Sequence, residues 1–211
     1  MKTKDRIAET ARILFNEQGY GGVSTAALAA ACGIAEGNLW YHYKTRRALL
    51  DAIGEQFAGA IEARLALLPA RDPVGDYAAL VAAMMAEFRD FRFLYRDQQS
   101  YGEHAEVIRA KAPEWTRRTF DQLELYLAAL ADAGLLDWPR ERLRDLAVNA
   151  TIILRYGLEH YREMGEATGS GTGSVQRTLL RHLTLFEHRL DPAAAKELHQ
   201  AIAAIETRLA A

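Results

Sequence analysis

The stretch GIAEGNLWYHY, residues 33–43, decides how this chain folds. It follows a short segment that begins at Ser24, a residue type that caps helices, and that contains small side chains such as Ala29. Gly33 provides a turn, and a second short helix is expected over residues 36–42. Because Ala29 and Gly33 are small, the two helices can cross closely at a steep angle. The sequence therefore predicts a helix-turn-helix.

The second of these helices is too short to turn all of its side chains inward. Leu39 is expected to face the core, so several of the polar and aromatic residues around it must be exposed. Glu36 and Asn38 lie near the helix start, where a carboxylate can accept from cytosine and an amide can pair with adenine. Gly37 would let the backbone approach the groove of a duplex. The alternative is an aromatic-rich core helix of an ordinary bundle.

The end of this helix combines aromatic rings with hydrogen-bond donors. A Trp N–H, a Tyr hydroxyl and a His ring, at residues 40–42, can donate to phosphate oxygens while the rings pack on sugars. Lys44 and Arg46 add positive charge beside them. These side chains favour double-stranded DNA as the partner.

Residues 7–57 resemble the DNA-binding domain of the TetR family of bacterial repressors. The resemblance is strongest in GNLWYHYKTRRALL, residues 37–50, which is close to the family's Leu-Tyr-x-His-Phe followed by a basic residue and a leucine. There are two departures: Ala26 and Ala27 replace polar or basic residues, and Ala35 replaces the usual Ser or Thr cap. With Lys44 added for its charge, the residues for which we expect DNA contact on the strength of this resemblance are Ser24, Thr25, Glu36, Gly37, Asn38, Trp40, Tyr41, His42, Lys44 and Arg46.

Apolar residues recur at steps of three and four along almost the whole chain, which predicts an all-α fold of about nine to ten helices. Prolines mark the expected helix boundaries. A short helix is expected near 103–111, a separate one from Pro113 to Gly134, and another over 175–189. We expect an N-terminal three-helix helix-turn-helix DNA-binding domain, residues 1–48, and a C-terminal helical ligand-binding and dimerisation domain, residues 49–211.

Composition limits the possible classes of protein. Half of the residues are hydrophobic and 26% are charged, and no run of 18 apolar residues occurs, so no membrane span is expected. The single cysteine, Cys32, fits a reducing bacterial cytoplasm. The net charge is −2, but residues 1–50 contain seven Lys or Arg against four Asp or Glu, which leaves +3 there and −5 in the remainder. This asymmetry suits nucleic-acid contact at one end.

Enzymatic chemistry is not expected. The sequence contains no glycine-rich phosphate loop and no nucleophile elbow. Acidic residues flank His104 and His160, but neighbouring positions on a helix point apart, so we expect no metal site. We also expect no cofactor.

A homodimer is expected because one short recognition helix reads only a few base pairs. Two such helices must enter successive major grooves about 34–36 Å apart, which implies a pseudo-palindromic operator. Members of the family dimerise through their last two major helices, and this implies an interface at Ile153, Tyr161, Leu179, Leu183 and Phe186. The alternative is that these aliphatic stripes form only the core of one subunit.

A small-molecule effector is the other expected partner. Aromatic or polar-tipped residues on the helices of the C-terminal domain suggest an apolar or aromatic ligand. The candidates for the pocket are Phe88, Phe91, Tyr95, Tyr101, Trp115, Tyr126, Tyr156 and His160. Most of them are equally suited to a core, and for any single one core packing is the favoured alternative. A ligand would act by favouring a state in which the recognition helices are wrongly spaced, with the fourth helix as the lever.

Two other functions stay open at this stage. The first is a DNA-binding regulator that responds to a protein partner or that has no effector. The second is an all-helical enzyme or binding module in which the N-terminal helices have no role in DNA binding.

Overall fold

The computed structural model describes residues 2–97, 101, 105–169 and 171–210, with only the backbone of Val107 and of residues 206–210. Over these residues the chain is helical, as its periodicity predicts. The α-helices in chain order are α1 Thr3–Gln18, α2 Thr25–Ala31, α3 Glu36–His42, α4 Arg46–Leu65, α5 Pro73–Asp90, α6 Arg92–Arg96, α7 Glu106–Asp132, α8 Leu143–Glu163, α9 Ser174–Leu183 and α10 Pro192–Ala210. Two 3-10 turns lie at Arg140–Arg142 and Glu187–Arg189.

The chain divides into two compact units. The first unit consists of Met1–Glu62 and Glu87–Pro113, and the second consists of Ala63–Ala86 and Glu114–Ala211. This division differs from the expected domains 1–48 and 49–211. The reason is that α4, α5 and α7 each continue across a boundary between the units, so no single cut of the chain separates them.

The first unit is built around α1. Phe15 of α1 is fully buried and packs against Phe93, with ring centroids 5.2 Å apart. Asn16 fixes the segment that contains α6, because its Nδ2 donates to the carbonyl of Asp90 (2.8 Å) and its Oδ1 accepts from the backbone N–H of Phe93 (2.9 Å). The guanidinium of Arg96 donates to the carbonyl of Phe15 (3.0 Å). The carbonyl of Asn16 has no helical partner, because the N–H of Tyr20 donates to Asp97. It accepts instead from the guanidinium groups of Arg92 and Arg96, both at 3.1 Å.

The second unit buries polar groups as well as apolar ones. Tyr77 of α5 and His182 of α9 are both fully buried, and 2.6 Å separates the Tyr77 hydroxyl from Nε2 of His182. Nδ1 of His182 lies 3.1 Å from the carbonyl of Leu179 and can only donate to it, so Nε2 accepts from the Tyr77 hydroxyl. Each polar atom of the pair therefore has a partner.

Helices α8 and α9 cross at close range. A Cβ placed on Gly157 of α8 would overlap the side chain of Thr178, which is fully buried on α9. Glycine is therefore required at this crossing by packing.

Two helix boundaries differ from the expected ones. Pro113 lies inside α7, which runs from Glu106 to Asp132, where the sequence predicts two helices. Proline removes one backbone donor from the helix, and Ile108 and Trp115, on either side of it, are buried. Helix α9 ends at Leu183, not at 189, and is followed by a turn in which the Thr184 hydroxyl donates to the carbonyl of Arg181 (2.7 Å).

Candidate DNA interface

Residues 24–42 form the helix-turn-helix that the sequence predicts. The Ser24 hydroxyl caps α2 by accepting from the backbone N–H of Ala27 at 3.1 Å. Gly33 makes the turn with a φ of +64°, a conformation that favours glycine, and the N–H of Ile34 donates to the carbonyl of Ala29 at 3.0 Å. Helix α3 then begins at Glu36.

One side of α3 is fixed to the rest of the first unit. Leu39 is buried, and so is Tyr43, the residue that follows the helix. The Tyr43 hydroxyl donates to the carbonyl of Lys4 on α1 at 3.2 Å. These contacts hold α3 in place and leave its other side free to carry function.

The other side of α3 is exposed, as the sequence predicts. Tyr41 is 76% exposed, and Glu36, Gly37 and Asn38 are also exposed. Trp40 and His42 are half-exposed. The ring and the hydroxyl of Tyr41 are therefore accessible to a partner that meets this side of α3.

The exposed rings are arranged beside a cation. The rings of Tyr41 and His42 lie edge to face with centroids 5.4 Å apart, and Nζ of Lys44 lies 5.8 Å from the centre of the Tyr41 ring. A hydroxyl, an imidazole and an ammonium group that lie together in this way can donate to neighbouring phosphate oxygens.

Glycine at position 37 has no packing explanation. A Cβ built on Gly37 would meet no atom within 4 Å. Glycine weakens a helix by about 1 kcal/mol relative to alanine. The start of α3 has no side-chain cap either, because Ala35 occupies the capping position. The first turn of α3 is therefore less stable than it would be with an alanine at position 37 and a capping residue at position 35.

Helix α2 offers few polar groups for base contacts. Ser24 is exposed and Thr25 is half-exposed, but Ser24 already accepts from a backbone N–H. The exposed positions that follow are all alanines, at 26, 27, 30 and 31. Of the two helices of this motif, α3 presents more side chains that can form hydrogen bonds with base edges.

Arg46 lies differently from its expected position on DNA. Its guanidinium donates to the carbonyls of Val23 (2.5 Å) and Tyr20 and stacks 4.3 Å from the centre of the Tyr20 ring. Burial raises the pKa of Tyr20 above its usual value, and the hydrogen bond and positive charge of Arg46 offset only part of this rise. Arg46 therefore supports the loop before α2, whereas the family resemblance implies that Arg46 itself contacts DNA.

Lys4 is a candidate that sequence reasoning did not single out. It is exposed at the start of α1, and its Nζ lies 5.2 Å from the centre of the Tyr43 ring, directly after α3. In the sequence Lys4 contributes only to the positive charge of the N-terminal segment. Its position beside α3 depends on the packing of α1, which no local pattern reveals.

The expected ligand residues are divided between the units. Phe88, Phe91 and Tyr101 are buried in the first unit with Tyr95 half-buried, and Trp115 and Tyr126 are buried in the second. In the first unit Phe57 lies between Phe91 and Tyr95, with centroid distances of 5.3 and 5.2 Å, and the Tyr95 hydroxyl donates to Glu87 at 2.5 Å.

Two of the expected ligand residues require a correction. Tyr156 is 61% exposed and His160 is exposed as well. They are four residues apart and lie on the outer side of α8, so they do not line an enclosed pocket.

The expected dimer residues also require a correction. Leu179, Leu183 and Phe186 are fully buried inside the single chain, and Tyr161 is covered by the guanidinium groups of Arg177 and Arg181, 4.4 and 5.0 Å from its ring centre. They form the core of the subunit, which was the alternative interpretation of these stripes. Of the expected five, only Ile153 is partly exposed.

The part of the chain that the structure describes contains neither a membrane-spanning helix nor a metal cluster. Within it, no helix is both long and apolar enough to cross a lipid bilayer. Nor does any cluster of three or more His, Cys, Asp or Glu residues in this part have a geometry suited to a metal ion. Glu103 and His104 lie outside the described residues.

Two family descriptions match the chain. Residues 7–53 match the bacterial regulatory proteins of the tetR family, and residues 56–198 match the TetR bacterial transcriptional repressors. Among curated relatives, the class A tetracycline repressor of Escherichia coli is 33% identical over 84 residues, which is 40% of this chain and 37% of the relative. An uncharacterised helix-turn-helix regulator of Bacillus subtilis, YerO, is 31% identical over 96 residues, 42% of this chain and 31% of the relative. The aligned stretches thus span only about a third of the length of these relatives.

Solved structures share the fold over nearly the whole chain. A TetR-family regulator from Marinobacter aquaeolei superposes with a TM-score of 0.75 at 22% identity and covers 99% of both chains. CprB from Streptomyces coelicolor gives 0.68 at 17% identity, with 97% and 96% covered. AibR, solved with isovaleryl coenzyme A and operator DNA, gives 0.58 at 18% identity and covers 88% of this chain and 98% of that one.

Proposed function

The chain belongs to the TetR family of bacterial transcriptional regulators, and we propose that it is a dimeric repressor released from a pseudo-palindromic operator by a small apolar or aromatic ligand. The exposed side of α3, on which Tyr41 is 76% exposed, is the observation that carries this proposal. Glu36 and Asn38 would contact base edges, and Tyr41, His42, Lys44 and Lys4 would contact phosphates. Arg46 would support the loop that positions α2.

The face of α8 that is exposed in the subunit supports the dimer. Ile152 is 50% exposed and Tyr156 is 61% exposed, one helical turn apart. Half-exposed Val148 and Ile153 adjoin them on the helix. An apolar stripe of this kind is typical of a surface that a partner covers, and a twofold axis would bring the same stripe of a second copy against it.

Helix α4 is suited to couple a ligand to DNA binding. Its residues up to Glu62 belong to the first unit and its last turn to the second. In the second unit the buried Arg64 donates to Gln122 (2.8 Å) and Thr119 (3.0 Å) of α7. A shift of α7 on ligand binding would then be transmitted to α4, and a coupling of about 1–3 kcal/mol is typical.

An aromatic cluster in the first unit is suited to a small apolar or aromatic ligand. The aromatic cluster of Phe57, Phe91 and Tyr95 offers apolar contacts to a small molecule. AibR, which shares the fold, was solved with isovaleryl coenzyme A and operator DNA, which supports a small molecule as the signal.

DNA binding is tested by selecting an operator from random duplexes and titrating it at several salt concentrations. The logarithm of the affinity should fall linearly with that of the salt concentration. Lys44→Gln should reduce the slope by about 2 per dimer, since each lost phosphate contact removes about 0.9. Lys196→Gln, an exposed lysine on α10, is the matched control and should leave it unchanged. A slope near zero would contradict the proposal.

The dimer is tested by Ile152→Asp in analytical ultracentrifugation. The buried charge should convert the dimer to monomers and greatly weaken operator binding. Leu68→Asp introduces the same charge at a side chain that is 70% exposed elsewhere in the second unit, and it should remain dimeric. A dimer that survives Ile152→Asp would exclude this face of α8.

The effector is tested by screening small apolar and aromatic compounds for release of the operator. A compound that both raises the melting temperature and releases DNA would support the proposal. If the purified repressor binds its operator and no small molecule in a broad screen releases it, control by a protein partner or the absence of an effector is favoured.

A further inference from the structure

A cavity of about 210 Å³ lies in the second unit and shares no residue with the DNA interface or the expected ligand pocket. It is lined by Trp138, Pro139, Arg142, His188 and Arg189. We propose that this cavity binds a planar aromatic carboxylate with a single ring, as a second ligand site.

The two walls of the cavity are held together by the backbone. Leu136 and Leu190 form an isolated antiparallel bridge. The N–H of Asp137 donates to the carbonyl of Arg189, and the N–H of Asp191 donates to the carbonyl of Leu135, both at 2.9 Å. The segments that contribute Trp138 and Arg189 are therefore fixed before any ligand arrives. Such preorganisation lowers the entropic cost of binding.

The aromatic part of the site is also fixed. Nε1 of Trp138 donates to the carbonyl of Arg142 at 3.3 Å, and the indole is only half-buried. The ring of His188 lies at 71° to the indole with a centroid distance of 6.4 Å. A planar ring can stack on the accessible part of the indole while its edge meets the imidazole.

The cationic part consists of two arginines with donors to spare. Nε of Arg142 binds Asp145 at 2.7 Å, and Nη1 of Arg189 binds Asp137 at 3.3 Å. Each guanidinium has five N–H donors, so neither ion pair saturates its arginine. None of the five lining residues is acidic. Two guanidinium groups and an imidazole beside an indole are therefore suited to a carboxylate attached to a ring.

The size of the cavity limits the ligand. Sites for drug-sized molecules occupy about 300–1,000 Å³, which is more than this cavity provides. A single ring with a carboxylate fits the volume, whereas a dinucleotide or a steroid does not. A ligand of this size in an open site should bind with a Kd of about 0.1–1 mM.

Benzoate is the probe for the test, titrated into the full-length protein and followed by calorimetry and by the indole N–H signals in NMR spectra. We expect saturable binding that perturbs the Trp138 signal, which Trp138→Phe identifies. The double variant Arg142→Gln/Arg189→Gln should weaken binding at least about tenfold, since two charge-assisted hydrogen bonds are lost. The control Arg71→Gln/Arg117→Gln removes two exposed arginines of the same unit and should leave binding unchanged.

Two further compounds test separately whether the charge and the planar ring of the ligand are needed. Benzamide keeps the ring without the charge, and cyclohexanecarboxylate keeps the charge without the planar ring, so both should bind more weakly than benzoate. The proposal is overturned if benzoate shows no saturable binding up to about 10 mM, if the Arg142→Gln/Arg189→Gln variant binds as well as the wild type, or if benzamide binds equally well.

The Arg142→Gln/Arg189→Gln variant also distinguishes a failure of this site from a failure of the proposed repressor function. Arg142 and Arg189 are exposed and far along the chain from α3, so operator binding without benzoate should be that of the wild type. Loss of benzoate binding with intact operator binding would support the site, and intact operator binding without any benzoate effect would overturn only this inference.

Discussion

Helices α3 and α9 are both short, yet they use their polar side chains in opposite ways. In α3, Glu36 and Asn38 are exposed and Tyr41 is 76% exposed. In α9, Thr178 and His182 are fully buried, and each is bonded: the Thr178 hydroxyl donates to the carbonyl of Ser174 at 2.9 Å, and His182 is held by Leu179 and Tyr77.

The contrast separates binding from stability. A buried polar group must be paired inside the protein, and its loss is measured as lost stability. An exposed ring and amide on a helix that is otherwise fixed contribute little to the fold, so their loss should be measured as lost affinity. Substitutions on the exposed side of α3 should therefore change DNA binding alone, and substitutions of the buried polar residues of α9 should change the free energy of unfolding.

The largest expected effect comes from Tyr41→Ala or His42→Ala in α3. Each variant would remove a proposed contact to phosphate, worth about 1.5–3 kcal/mol, from both half-sites of an operator. Affinity should fall at least about a hundredfold in fluorescence anisotropy, while the melting temperature and the dimer are retained. Leu68→Ala truncates a comparably exposed side chain and should bind like the wild type. Unchanged affinity in both α3 variants would show that α3 is not the recognition helix.

The next effect concerns the crossing of α8 and α9. Gly157→Ala places a methyl group against Thr178 and should destabilise the protein by about 2–3 kcal/mol. The melting temperature should then fall by about 4–12 °C. Thr178→Ala in the same chain should restore part of the loss, because it removes two of the overlapping atoms.

Gly59→Ala is the matched control for that variant. Gly59 also lies inside a helix, α4, but a Cβ there meets no atom within 4 Å. It should be neutral or stabilising by up to about 1 kcal/mol. If both glycines respond alike, the effect at Gly157 is one of helix propensity and the close crossing is not its cause.

The same comparison indicates what the sequence could and could not predict. The pattern around residues 33–43 is local: the Ser24 cap, the Gly33 turn and the inward Leu39 follow from neighbours along the chain, and the structure shows all three. By contrast, what covers the apolar residues of α8 depends on helices that are distant in the sequence. Ile152 and Tyr161 are both apolar residues of one helix, but Tyr161 is covered by Arg177 and Arg181 and Ile152 is not. Periodicity identifies an apolar position without identifying what covers it.

A third effect depends on pH. Burial lowers the pKa of His182 to about 4, against 6.5 in an unfolded chain. Above pH 6.5 the residue is neutral in both states and its contribution to stability is fully present. As the pH falls below 6.5, the unfolded state takes up a proton that the native state does not, so about 2 kcal/mol of stability should be lost by pH 5.

His182→Gln isolates this contribution, because a glutamine can still accept from Tyr77 but does not titrate. Urea unfolding at pH 7 and pH 5 should show a smaller difference for this variant than for the wild type. His160→Gln removes an exposed histidine of α8 and should keep the wild-type difference. An equal pH dependence in His182→Gln would mean that other groups account for the loss at low pH.

The smallest effect tests the weak start of α3 against the capped start of α2. Ala35 already has the backbone conformation of a capping residue, with φ −69° and ψ 150°, and is exposed, so Ala35→Ser can place a hydroxyl near the N–H of Asn38 without a clash. The variant should gain about 0.5–1 kcal/mol, whereas Ser24→Ala should lose about 1 kcal/mol. Hydrogen exchange at Gly37 and Asn38 should slow in the variant, because a capped first turn opens less often. If exchange there is already slow in the wild type and Ala35→Ser changes nothing, the buried Leu39 and Tyr43 alone hold α3 rigid, and the absence of a cap has no bearing on how the helix meets DNA.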